Sequence, residues 1–186
     1  MRVISGEYGG RRLKAVPGDS TRPTTDKIKE AVFHMIGPYF DGGNVLDLYS
    51  GSGSLGIEAV SRGMDHAVLV DSNYKAIQII KENIQMTKEP DKFTVLKKKD
   101  RQALAELESK GTAFDLILLD PPYALQEISD IINELSSKKL ISPKALILCE
   151  TDKSIELPQR SAGMEVIKEK VYGTTKITVY EAGELS

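Results

Sequence analysis

From Asn44 onward, short apolar runs alternate with segments whose apolar residues recur every three or four positions. The runs predict strands over 45–48, 67–71, 93–96, 116–119 and 145–149. Between them the periodic segments predict helices over 55–62, 73–86, 101–108 and 128–135, with Ala76, Ile79, Ile80 and Ile84 inward in the second. Strands that are apolar throughout are buried on both faces. With a helix between each pair, they predict an α/β fold: a doubly wound, Rossmann-like, mostly parallel sheet. Two last runs, 165–172 and 176–181, flank Gly173-Thr174-Thr175 and predict an antiparallel hairpin at the C-terminal sheet edge.

Ahead of this alternation, Ile28, Ala31, Val32, Met35 and Ile36 form one stripe of a helix predicted over 25–40. Thr24 or Thr25 can cap it, and Asp26 suits the positive end of its dipole. Earlier still, two short segments flank Gly9-Gly10, which predicts a small β-hairpin. With little core of its own, that hairpin must lean on the main body. The expected organisation is therefore an extension over 1–21 followed by one domain over 22–186.

Charge sharpens this division. The net charge is −2, yet residues 1–30 carry seven Lys/Arg against four acids. A basic N-terminal segment on a mildly acidic body suggests that one end meets a polyanion. No apolar run approaches the roughly 18 residues of a membrane span, and no signal peptide is evident. The lone cysteine, Cys149, reads as a strand core residue, and with only His34 and His66 it cannot build an ordinary zinc site. A cytoplasmic protein without a metal is expected, and a monomer would suffice.

Candidate chemistry gathers at the ends of the predicted strands. Asp120-Pro121-Pro122-Tyr123 closes the fourth, where two prolines stop the ladder and leave an acid at the carboxyl end of a buried strand. The Asp120 carboxylate and the Pro121 carbonyl are two acceptors, and Tyr123 is a flat ring. An exocyclic amino group on a nucleobase needs that set. The first strand runs into Asp47-Leu48-Tyr49-Ser50-Gly51-Ser52-Gly53-Ser54-Leu55-Gly56, a G-x-G-x-x-G loop, and Asp71 ends the second strand 20 residues after Gly51. This pattern alone suits a dinucleotide almost as well as S-adenosylmethionine. Asp47 would repel a pyrophosphate but accept from a methionine ammonium, while Asp71 suits ribose hydroxyls and Asp100 an adenine amino group. An acid-lined crevice fits a sulfonium cofactor better than NAD.

These motifs resemble class I S-adenosylmethionine-dependent methyltransferases that act on amino nitrogens. Gly6-Glu7-Tyr8-Gly9-Gly10-Arg11-Arg12-Leu13, Arg22-Pro23-Thr24-Thr25-Asp26, the glycine loop through Ala59 and Tyr172-Gly173-Thr174-Thr175 together resemble the bacterial RsmD family, which methylates N2 of a guanine in 16S ribosomal RNA. The resemblance covers essentially the whole chain. It departs at Tyr49-Ser50, where the family favours Phe-Ala. It implies a catalytic Asp120-Pro121-Pro122-Tyr123 segment, with Tyr123 stacking on an extruded base. It implies cofactor contacts from Asp47, Tyr49, Ser50, Gly51, Gly53, Asp71, Ser72, Asp100 and Arg101. Arg2, Arg11, Arg12, Lys14 and Arg22 are implied RNA contacts, with 16S rRNA in the small subunit or its assembly intermediate as partner. Whether Asp120 takes the proton stays open. Rival acceptors are DNA adenine and protein glutamine, and the rival classes are a non-catalytic RNA-binding assembly factor and an NAD oxidoreductase.

Overall fold

The computed structural model describes residues 1–18, 26–122 and 124–183, the side chains of 124–126 excepted. Arg22, the Thr24 and Thr25 caps and Tyr123 therefore lie outside the described residues. The chain forms two compact units, Met1–Asp100 and Arg101–Ser186.

In the first unit, α1 (Asp26–Ile36) precedes β1 (Asn44–Asp47), α2 (Ser54–Ser61), β2 (His66–Asp71), α3 (Tyr74–Met86) and β3 (Phe93–Lys97). The three strands are parallel in the order β3-β2-β1, in a register that pairs Asp47 with Leu69 and Asp71 with Lys97. Helix α1 stops four residues short of its predicted end, just ahead of Pro38, whose ring disfavours helix in the residue before it. Its buried face also differs from the predicted stripe. Lys29, Val32, Phe33 and Ile36 point inward, so the helix is turned by about one residue.

A buried ion cluster explains the turn. Lys29 and Glu58 are fully buried. The Lys29 ammonium lies 3.4 Å from Glu58 Oε1 and donates to Ser54 Oγ at 2.9 Å and to the Arg2 carbonyl at 2.6 Å. Arg62 Nε donates to Glu58 Oε2 at 2.8 Å, and its guanidinium lies 5.0 Å from the Phe33 ring centre. Burial pushes the Lys29 ammonium below its usual range, while the Glu58 carboxylate pulls the other way.

The same carboxylate holds the N-terminal segment. Ile4 N–H donates to Glu58 Oε1 at 2.8 Å and Ser5 N–H to Oε2 at 3.1 Å. Instead of two paired strands, the segment has a single antiparallel bridge, Arg2–Arg12, closing a compact turn. Gly6 is the demanding residue in that turn. Its φ is +88°, and a Cβ there would lie 1.9 Å from the Ser61 carbonyl oxygen. Val3, Tyr8 and Leu13 are buried, which is how a segment without its own core is held.

The second unit holds α4 (Asp100–Lys110, from Arg101 on), β4 (Phe114–Leu119), α5 (Ala124–Ser137), β5 (Ile141–Asp152), β6 (Arg160–Ser161), β7 (Met164–Tyr172) and β8 (Thr175–Ala182). Strands β4 and β5 are parallel, and β8, β7 and β6 follow β5 as an antiparallel edge. Parallel strands joined through helices, closed by an antiparallel edge, are the doubly wound, Rossmann-like arrangement the pattern predicts. Strand β5 is longer than its apolar run, because it pairs with β8 from Leu146 through Asp152. Leu119 aligns with Cys149, so β5 continues past the end of β4. Among the described residues, no helix is long and apolar enough to cross a membrane.

Candidate active site

In the first unit the glycine loop leaves β1 at Asp47 and enters α2 at Ser54. Gly51 (φ +56°) and Gly53 (φ +82°) take left-handed conformations, which glycine adopts without the steric cost of a Cβ. Gly56 lets α2 approach β2, since a Cβ there would lie 2.2 Å from Leu69 Cδ2.

The predicted acids fasten this loop. Asp47 is buried, and its Oδ2 accepts the Gly56 N–H at 3.2 Å near the start of α2. Asp71 accepts the Gly51 N–H on Oδ2 and the Asn73 N–H on Oδ1, each at 2.9 Å. Asp100 Oδ2 accepts the Tyr49 hydroxyl at 2.7 Å. Ser50 Oγ donates to the Asp47 carbonyl at 2.8 Å, and Ser50 N–H to the Val70 carbonyl at 2.8 Å. Ser72 is exposed between Asp71 and the Asn73 cap of α3, which accepts the Ala76 N–H at 3.1 Å.

Asp47, Asp71 and Asp100 thus sit at or just past the carboxyl ends of the unit's three parallel strands, the ligand end of such sheets. A carboxylate offers about four acceptor sites, so Asp71 retains capacity for a ribose diol after binding two amides. With carboxylates at all three strand ends, the set of acceptors fits an adenosine cofactor bearing an ammonium and a sulfonium. It fits a pyrophosphate poorly.

In the second unit, Asp120 directly follows β4, and the buried Pro121 and exposed Pro122 come after it. One step past the Leu119–Cys149 pair, Asp120 is level with Glu150 on β5. Asp120 is exposed, although protein packs closely around its carboxyl. That crowding, with the Glu150 charge added, pushes its carboxyl up to about 7. The pattern of the sequence held no sign of Glu150, which becomes visible only in the β4–β5 register. Arg101, counted with the cofactor residues, forms an ion pair with Glu134 of α5.

The predicted RNA contacts divide. Arg12 is exposed, and Arg2 lies 3.8 Å from Asp26 and Lys14 2.8 Å from Glu82 in exposed pairs. Arg11 caps the end of α3 instead, donating to the Met86 and Thr87 carbonyls at 3.1 and 2.8 Å with its guanidinium 5.4 Å from the Tyr8 ring centre. Sequence reasoning missed the Lys29–Glu58–Arg62 cluster, although a glutamate on the buried face of α2 was a signal.

Comparison with known proteins bears on this site. The family model described as conserved hypothetical protein 95 matches residues 1–181. Bacillus subtilis YlbH is 43% identical over 97% of this chain and 98% of its own length. Ribosomal RNA small subunit methyltransferase D of Escherichia coli is 30% identical over 97% of this chain and 89% of its own. Among solved structures, a conserved hypothetical protein of Streptococcus pyogenes is 51% identical with a TM-score of 0.79, over 83% of this chain and 94% of that one. A Thermus hypothetical protein, 29% identical, gives a TM-score of 0.81 over 100% and 99%.

Proposed function

The chain belongs to the conserved hypothetical protein 95 family, which includes ribosomal RNA small subunit methyltransferase D, and we propose that it methylates the exocyclic N2 of one guanine in 16S ribosomal RNA. It is an S-adenosylmethionine-dependent methyltransferase. The observation that carries the acceptor assignment is the placement of Asp120 at the carboxyl end of β4, followed at once by the Pro121 carbonyl.

S-adenosylmethionine supplies a methyl group on a positively charged sulfur, which departs as a neutral thioether. In this reading Asp47, Asp71 and Asp100 take the ammonium, the ribose hydroxyls and the adenine amino group, and the loop from Tyr49 to Gly53 sets the cofactor's position. Asp120 and the Pro121 carbonyl accept the two N2–H bonds of the guanine. The N2 lone pair is delocalised into the ring, and these acceptors favour the pyramidal nitrogen whose lone pair forms the new N–C bond. They also stabilise the positive charge that develops there. A carboxyl with a pKa near 7 suits removal of the excess N2 proton at neutral pH. Tyr123 is assigned to the face of the base, and stacking of this kind contributes about 1–3 kcal/mol. Arg2, Arg12, Lys14 and Arg22 are assigned to RNA phosphates, and Arg11 to holding their segment in place. A cytoplasmic setting follows from an rRNA substrate.

The test supplies tritiated-methyl cofactor with small ribosomal subunits from a strain lacking the gene, and naked 16S RNA alongside. Label is expected as N2-methylguanine at one position. Asp120→Ala is expected to bind cofactor normally and transfer about 10- to 150-fold more slowly, the effect of losing one charge-assisted hydrogen bond. Transfer to neither RNA form, with cofactor binding intact, would refute the acceptor assignment.

A further inference from the structure

We propose that Lys75, Lys97 and Lys99, with the ring of Tyr74, form a second RNA-contacting surface at the carboxyl end of β2 and β3. It rests on the rRNA reading above and draws on residues outside the basic N-terminal segment.

The register brings the surface together. Lys97 is paired with Asp71, and Lys98 N–H donates to the Asp71 carbonyl at 3.2 Å, so residues 97–99 leave β3 alongside the start of α3. There Tyr74 is 61% exposed. The Lys97 ammonium lies 5.6 Å from its centre, and Gln78 Nε2 donates to its hydroxyl at 2.9 Å, which fixes the ring's direction. Lys75, Lys97 and Lys99 are all exposed.

Three ammonium groups on flexible stems suit phosphates and do not suit a cationic cofactor. A lone anion would need the charges but not an exposed ring. A nucleic acid uses both, phosphate on lysine and base on tyrosine. The surface sits at the carboxyl end of β2 and β3, where it would grip RNA.

The experiment measures binding of an in vitro 16S rRNA transcript, without cofactor, across about 50–200 mM salt. Each lost phosphate contact lowers the slope of log K against log salt by about 0.7–0.9. The triple variant Lys75→Gln, Lys97→Gln, Lys99→Gln is therefore expected to lose about 2–3 from that slope. Tyr74→Ala is expected to weaken binding about fivefold or more with the slope unchanged, since stacking releases no counterions. Both variants should bind S-adenosylhomocysteine as wild type does, which reports an intact fold. A wild-type slope in the triple variant would overturn the proposal, as would wild-type protein that does not bind the transcript. A lysine-dependent slope without methyl transfer would sink the acceptor reading and leave this surface standing.

Discussion

Replacing Glu58 with glutamine tests what holds the N-terminal segment and α1 in place. Four donors converge on that carboxylate: Ile4 N–H at 2.8 Å, Ser5 N–H at 3.1 Å, Arg62 Nε at 2.8 Å and the Lys29 ammonium at 3.4 Å. Glutamine keeps the shape, removes the charge and turns one acceptor into a donor facing other donors. The Lys29 ammonium is then stranded at 0% exposure. Removing one partner of a buried ion pair costs about 3–5 kcal/mol. With a urea m-value of about 2 kcal/mol/M, the midpoint should fall by about 2 M. Adding Lys29→Met should recover part of the loss, because it removes the stranded charge, whereas Arg62 keeps the Pro38 carbonyl at 3.3 Å and two aromatic rings. Amide exchange at Ile4 and Ser5 should quicken in the single variant. A loss below about 1 kcal/mol, or no rescue by the second substitution, would refute the assignment of the cluster as the anchor.

Other outcomes follow from single contacts. Because the Asp120 carboxyl titrates near 7, and only its ionised form can take a proton and offset the positive charge developing on the acceptor nitrogen, kcat/KM should rise about tenfold between pH 6 and pH 8. Glu150→Gln removes the like charge, so that limb should move to lower pH; a limb that stays put or moves up contradicts the pairing. Gly6→Ala should lower stability by about 2 kcal/mol or more, through its left-handed φ and the clash with the Ser61 carbonyl, read as a lower melting temperature.

Much of the fold was legible because buried strands and amphipathic helices leave periodic traces. The strands ending at Asp47 and Asp71 and the helices after them appear as the pattern predicts, and so does Asp120 at the end of β4. The orientation of α1 was not legible, because hydrophobic counting places a lysine outside and cannot see the glutamate that satisfies Lys29 inside. Gly9-Gly10 looked like the hairpin centre, whereas Gly6 meets the steric demand, set by a carbonyl 55 positions along the chain. Strand β5 outran its apolar run because pairing with β8, which composition does not encode, carries it to Asp152. Glu150 was invisible for the same reason, since its meaning depends on register.

That overrun of β5 constrains what can reach Asp120. Thr151 and Asp152 extend about 7 Å beyond the level of the carboxyl, at about 3.3 Å per residue. Thr175 of β8 and Tyr172 of β7 lie level with Asp152 and broaden the projection. The result is a parapet along one flank of the acid. If guanine N2 is the acceptor, as proposed, a base still stacked in a duplex would bring its neighbours against this rim. A nucleotide swung clear of its stack passes. In the proposed reaction the height of a strand would then favour looped over helical RNA, before any side chain reads a base.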